Sequence, residues 1–283
     1  MAAERAEASA LSLAARPGRI AAWTILFLGG IVMMTPLLFM FSTSLKSAGQ
    51  VYDLRLIPAA PTLANYVKIL SDGRFGHWFL NSVIIATIVT LSCMFFDSLA
   101  AYTLAKFKFP GRQLVFVAIL STLMIPTEML VIPWYLMASK LGWVDTYWGI
   151  MFPGMITAFG VFLMKQFFET VPNDFLEAAR IDGLSEFAIW WKVAMPLVTP
   201  ALSALAIFTF LSNWTAFFWP LIVTTDQDLY TLPVGLSSFA VEQNIQWEMI
   251  MTGAALATVP TLLVFLFFQR YIVRGVMLAG VKG

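Results

Sequence analysis

Residues 171–196 read VPNDFLEAARIDGLSEFAIWWKVAMP, a charged stretch set between two long apolar runs. Asp174, Glu177, Asp182 and Glu186 lie in it together with Arg180 and Lys192. Ionised side chains at mid-bilayer are costly, so this stretch lies outside the membrane and the runs on either side cross it. Pro172 suits the start of a helix, where its missing N–H would have had no intrahelical partner, and Asn173 or Asp174 can satisfy the first free amides. Gly183 suits the far end. At about 100° per residue, Phe175, Leu176, Ala178 and Ala179 share one arc, and Asn173, Glu177 and Arg180 the opposite one. Asp182 intrudes on the apolar arc, and Ile181 and Leu184 on the polar one. Such intrusions fit a helix held in a cleft of another protein, where Ala178, Ala179 and Gly183 let a partner approach the backbone.

The whole chain supports a membrane setting. Of its 283 residues 60% are hydrophobic and only 12% charged, against roughly a quarter charged in soluble proteins. Net charge is +1, which gives nucleic acid nothing to bind. Cys93 is the single cysteine; it excludes an internal disulfide and is expected to be packing, as are the many Phe and Met residues. His77 has no other His or Cys near it in sequence, so a metal site is not expected.

About 20 apolar residues cross a bilayer, and six stretches qualify: about 21–43, 79–104, 114–137, 147–168, 196–223 and 249–270. The expected fold is therefore all-α with six transmembrane helices, the 171–195 loop joining spans four and five. Pro126, Pro133, Pro153, Pro200, Pro220 and Pro260 fall inside spans, where neighbouring helices can satisfy the carbonyls they free. Residues 1–20 and 273–283 are expected to be tails. With the N-terminus inside, the inner segments hold Arg5, Arg16, Arg19, Lys106, Lys108, Arg112, Lys165, Arg180, Lys192, Arg270, Arg274 and Lys282. The outer ones hold only Lys46, Arg55, Lys68, Arg74 and Lys140, out of 17 basic residues in all. This bias places both termini and the 171–195 loop in the cytoplasm.

Glu177-Ala178-Ala179, Gly183 four residues further on, and Met195-Pro196-Leu197 resemble the EAA loop of ATP-binding-cassette importer permeases, the element that docks on the ATPase. The segments NSVIIATIVT (81–90) and AAYTLAKFKFPGR (100–112) are similar to sugar-importer permeases of the maltose type. So are the outer segment of about 224–248 and the C-terminal QRYIVRG and GVKG, although Met277-Leu278-Ala279 departs from the family's pattern. The resemblance implies one permease half in a bacterial inner membrane, partnered by a homologous permease, two ATPase subunits and an extracytoplasmic solute-binding protein. ATP and Mg²⁺ would be bound by the partner ATPase, with no cofactor in this chain. It also implies ATPase coupling through Glu177, Ala178, Ala179, Arg180, Asp182 and Gly183, whereas Ser185 is expected to tolerate alanine.

No GxxxxGK[ST] phosphate loop occurs, so the chain is not expected to hydrolyse ATP, and no nucleophile-and-base set suggests another enzyme. Asp97 and Glu128 stand in apolar runs, and each is open to two readings: lining of a solute path, or a hydrogen bond between helices. Asn213 and Trp214 interrupt span five and are path candidates, since an amide both donates and accepts and an indole face packs on the C–H face of a sugar ring. Trp219 is expected at the interface. No span interior carries Arg or Lys, which favours a neutral oligosaccharide over glycerol 3-phosphate or an acidic sugar. An ion-coupled carrier using Asp97 and Glu128 is the alternative from another class.

Overall fold

The computed structural model describes the backbone of residues 2–241 and 244–280, and the side chains of residues 18–240 and 245–267. In chain order the helices begin with α1 (Ala2–Ser44), α2 (Ala64–Ser71), α3 (Arg74–Lys106), α4 (Arg112–Ser121) and α5 (Val131–Lys140). They continue with α6 (Tyr147–Met151), α7 (Ala158–Thr170), α8 (Asn173–Ile181), α9 (Glu186–Ile189) and α10 (Met195–Leu197). The last are α11 (Thr199–Trp214), α12 (Phe218–Val223), α13 (Leu232–Ser237) and α14 (Trp247–Gly280). A two-residue antiparallel pair, β1 (Ala240–Val241) with β2 (Asn244–Ile245), precedes α14.

The chain packs as two compact units, one of residues up to Ile69 with Phe239–Ala255, the other of Leu70–Ser238 with residues from Leu256 on. In the first, α1 presents apolar side chains to its surroundings from Ile20 to Leu38, Trp23, Phe27 and Met33 among them, and is buried only in its last turn, Ser42–Ser44. An isolated helix apolar all round belongs in lipid or against other membrane helices. The loop after it is tied down by Asn65, whose Nδ2 donates to the carbonyls of Ser44 (3.0 Å) and Lys46 (2.8 Å).

The second unit is built on α3, which is buried at intervals from Phe75 to Leu104. The helices around it are broken. Arg112–Met124 and Thr127–Lys140 meet at 96°, Tyr147–Gly154 and Ala158–Thr170 at 44°, and Glu186–Leu197 and Thr199–Trp214 at 86°. Three helices, Gly18–Ser44, Arg74–Lys106 and Trp247–Phe267, are long and apolar enough to cross alone, and six spans result when each bent pair is one span. The expected stretches 114–137, 147–168 and 196–223 are thus not straight helices. Proline accounts for two breaks in different ways: Ile125, before Pro126, is extended because proline disfavours a helical residue before it, and Pro200, in the first turn of α11, has no N–H to donate back to the carbonyl four residues earlier. The expected tails 1–20 and 273–283 are not set off by any break, because α1 begins at Ala2 and α14 runs to Gly280. Residues 281–283 and the side chains of 1–17 and 268–280, including those of QRYIVRG, lie outside the described residues.

A break inside a membrane leaves backbone groups without helical partners, and these must be satisfied by other means. Side chains of α3 do this for residues 154–157. Ser92 Oγ donates to Met155 O (2.7 Å), Cys93 Sγ to Gly154 O (3.1 Å), and Asp97 accepts from Thr157 N (2.9 Å) and Thr157 Oγ1 (2.8 Å). Thr157 in turn caps α7 by accepting from Gly160 N (3.0 Å). A Cβ on Gly160 would fall 2.0 Å from Asp97 Oδ2, so only glycine lets that carboxylate lie so close.

Opposite the 171–195 loop, residues 224–238 fold down on the start of α3. Trp78 Nε1 donates to Gln227 O (3.0 Å), Asn81 Nδ2 donates to Asp228 O (2.7 Å) and Tyr230 O (3.0 Å), and Leu232 N donates to Ser82 Oγ (2.8 Å). Asp145, in a left-handed conformation (φ 56°), accepts from the N–H of Thr225 and of Asp226 and from the Thr225 hydroxyl. These bonds, the Thr225 side chain first, hold the Asp145 carboxyl below its ordinary value. A depressed carboxylate stabilises the fold above the unfolded value of about 3.9, and the contribution fades as pH falls through the folded value. Asp145→Ala is expected to lose stability relative to Asp145→Asn, by about 1 kcal/mol or more, because Asn tolerates left-handed φ and keeps an acceptor. In thermal unfolding of the purified protein, the wild-type advantage over Asp145→Ala is expected to narrow on acidification below about pH 4.

Candidate functional site: the 171–195 loop and the cavity above it

The loop is anchored to the second unit. Lys106 Nζ, at the end of α3, donates to Val171 O (2.6 Å) and Asn173 Oδ1 (3.0 Å), so the entry to α8 is fixed to the foot of α3. Leu176 and Ala179 are buried, in a cluster that includes Tyr102, Phe168, Ile189 and Trp190. At the C-terminus of α8, Gly183 N donates to Arg180 O (3.0 Å) and Leu184 N to Ala179 O (3.1 Å), with Gly183 at φ 82°. That is a Schellman stop, in which the left-handed position favours glycine. Arg180 then closes the turn onto Glu186, Nε to Oε1 at 2.6 Å and Nη2 to Oε2 at 3.3 Å. The guanidinium holds the Glu186 carboxyl below its ordinary value.

The arc reading of α8 changes in one respect. Leu176 and Ala179 face the core and Ile181, on the polar arc, is 87% exposed, all as expected, but Phe175 (54% exposed) and Ala178, both assigned to the apolar arc, face outward. Glu177, Ala178, Asp182 and Gly183 are exposed with them, and a Cβ on Gly183 would meet nothing within 4 Å. The outward face of α8 is therefore apolar and acidic at once, with its small residues accessible. Ser185 has a role that the sequence reading missed: its Oγ accepts from Ala188 N (3.3 Å) as the N-cap of α9. Its replacement by alanine costs about 1 kcal/mol on the scale of N-caps rather than nothing.

Two cavities lie among the broken helices. One, of about 160 Å³, is lined by Thr127, Trp134, Gly154, Asn213, Trp219 and Thr231 among others. The other, of about 470 Å³, is lined by Gly154, Thr157, Phe159, Phe208, Thr209, Ser212 and Asn213. Asn213 borders both. Its Nδ2 donates to Thr209 O (2.9 Å), which leaves Oδ1 on the cavity wall beside Gly154.

The other path candidates are not part of that wall. Trp214 is buried, its Nε1 donating to Ala257 O (3.1 Å) and its ring lying between Phe79 and Phe210. Asp97 is fully buried, and its oxygens serve Thr157. Glu128 is exposed in the 3₁₀ turn Thr127–Leu130 at the first helix break. Trp219, expected at the interface, instead lines the smaller cavity with Nε1 bonded to Gly149 O (3.0 Å).

Residues 98–278 match the family described as "Binding-protein-dependent transport system inner membrane component", and the chain belongs to that family. It is 32% identical over 270 residues to the arabinooligosaccharides transport system permease protein AraQ of Bacillus subtilis, covering 94% of this chain and 96% of that one. It is 33% identical to the sn-glycerol-3-phosphate transport system permease protein UgpE of Yersinia pestis, covering 89% of this chain and 94% of that one. Among solved structures, it resembles a bacterial ABC transporter involved in the import of the acidic polysaccharide alginate, with TM-score 0.82 and 26% identity, over 90% of this chain and 96% of that one. The chain is an inner-membrane permease of an ABC importer, a family of permeases rather than ATPases.

With its oxygens fully engaged at Thr157, Asp97 has the task of holding a helix break closed. Asp97→Asn is expected to give normal yields of folded protein, whereas Asp97→Leu should lose about 2–3 kcal/mol by orphaning a buried amide and hydroxyl. Size-exclusion chromatography and thermal unfolding in detergent check both.

Proposed function

We propose that this chain is one of two permease halves of an importer for a neutral oligosaccharide, with both termini in the cytoplasm. Its partners would be a homologous permease, two ATPase subunits that bind ATP and Mg²⁺, and an extracytoplasmic solute-binding protein. Glu177, Ala178, Arg180, Asp182 and Gly183 would form the docking surface for one ATPase, while Ala179, buried against the bundle, would hold α8 in place beneath it. The observation that carries this reading is the outward face of α8: Phe175 and Ile181 lie exposed on a helix rigidly tied to the bundle by Lys106 and by the Leu176 side. Apolar exposure of that kind marks a protein contact. Closure of the ATPases would then move α8, and α8 would carry the feet of α3 and α7 with it, turning the cavity outward to accept solute.

The solute class rests on the cavity lining. Hydroxyls, amides and aromatic rings line both cavities, with no carboxylate and no cation in either wall. An anionic solute needs positive partners, so a neutral sugar fits these walls better than glycerol 3-phosphate or an alginate-like acid.

The test is uptake into vesicles carrying the full complex, with arabinotriose, maltotriose and glycerol 3-phosphate as solutes. Uptake of a trisaccharide that requires ATP and survives an uncoupler is expected. Uptake driven by a proton or sodium gradient without ATP would overturn the reading in favour of an ion-coupled carrier. In the same complex Gly183→Leu should cost about 1–2 kcal/mol locally, from a side chain at φ 82°, and lower both ATPase recovery and uptake. Ala179→Trp should do the same by filling the buried side of α8, while total permease in the membrane stays unchanged.

A further inference from the structure

At the end of the second unit away from the 171–195 loop, Leu70, Phe75, Phe79, Leu256, Pro260 and Leu263 enclose an open groove of about 450 Å³. No polar side chain lines it, unlike the two cavities that Asn213 borders. Phe75 is only 5% exposed, and Phe79 is backed edge to face by Trp214 at 5.4 Å. The groove therefore has a rigid aromatic floor. Leu70, Val259 and Leu263 form its open edge, each roughly half exposed. Both long walls belong to helices long and apolar enough to cross a membrane, Arg74–Lys106 and Trp247–Phe267. The medium that the groove opens onto is therefore hydrocarbon.

Two residues on the walls run against helix propensity. Gly76 lies in the first turn of α3, yet a Cβ there would meet nothing within 4 Å, so close packing does not demand glycine. What its missing side chain does is deepen the groove. Pro260 stands inside α14, where it has no N–H for the carbonyl of Leu256, on the same wall. The mouth is polar and positive. No side chain caps α3 at Gly73, so the positive end of its dipole is bare. Arg74 Nε and Nη2 bond to Asp72 at 3.0 and 2.8 Å, and Nη1 has no bond among the described residues.

We propose that the groove holds one acyl chain of a phospholipid from the leaflet away from the 171–195 loop, with its phosphate at the first turn of α3 and Arg74. A helix about 10 Å across fills roughly 850 Å³ in two turns, so a partner's span would lie over the groove without entering it. A single flexible chain enters. Apolarity alone would not retain it, because the surrounding lipid tails are as apolar as leucine. Retention comes from the shape that Gly76 leaves and from the phosphate, since anions are stabilised at helix N-termini.

The test is photolabelling of the full-length protein, purified in detergent with its transporter partners and titrated with a phosphatidylglycerol that carries a diazirine in its acyl chain. It needs neither ATP nor solute, so its outcome is separate from that of the importer reading. Adducts are expected to saturate and to map to 75–79 and 256–263. Gly76→Trp, which fills the groove, should lower them at least tenfold there while labelling of the exposed face of α1, at Trp23–Met33, is unchanged. Leu263→Trp should do the same from the opposite wall, and Gly76→Ala should label as wild type does. Arg74→Gln should raise the half-saturating lipid concentration severalfold. Equal, unsaturable labelling of every exposed apolar segment, indifferent to both tryptophans, would mean an ordinary lipid annulus and overturn the site. Absence of adducts, with Gly76→Cys cross-linking instead to a partner's span, would overturn it too.

Discussion

Everything in the second unit depends on one constraint: a peptide group inside a bilayer has no water to bond to, so a broken span needs side chains to replace the helical bonds it gives up. Here the unbroken helix α3 supplies them. Ser92, Cys93 and Asp97, within two turns of one another along it, reach residues 154–157 at the break before α7. Glycine at 160 makes room for the carboxylate. The arrangement permits a bent span, and the bend is what leaves space for cavities near Asn213.

The same post carries the two ends of the unit. At one end Trp78, Asn81 and Ser82 hold the segment 224–238. At the other, Lys106 holds the entry to α8, and Tyr102 packs edge to face on Phe168 of α7. On the proposed reading, a push on α8 would reach α3 through the short Lys106 bonds and the buried Leu176 side of the helix rather than through a flexible loop. On the proposed reading, the exposed Phe175 and Ile181 would give an ATPase something to push against, and the Schellman stop at Gly183 fixes the angle of the turn after it.

Much of this was legible in the sequence, for reasons that differ by residue. The loop 171–195 declares itself by charge, and Gly183 by its place after a helical run, because both signals are local. The three unbroken spans follow from length and hydropathy alone. The breaks are legible only in hindsight, since a proline in an apolar run is compatible with a straight span as well as a bent one. Asp97 stayed open between two readings because its partner, Thr157, is 60 residues away, and nothing near Asp97 in sequence points to it. Trp214 and Trp219 both leave their expected settings for the same reason: the carbonyls that fix them, of Ala257 and Gly149, belong to other helices. Phe175 was placed on the inward arc by periodicity, but Leu176 and Ala179 alone fill the space that the bundle offers.

The central claim is that α8 meets an ATPase through its exposed face. Cross-linking from Ile181→Cys, 87% exposed at the end of α8, addresses it directly in membranes that hold the active complex. A cross-linked product with the ATPase subunit, whose yield changes between nucleotide-free and ATP-bound states, is the expected result. Transport-competent complex in which a cysteine at 181 reacts freely with water-soluble reagents in every nucleotide state and never cross-links to the ATPase would contradict it.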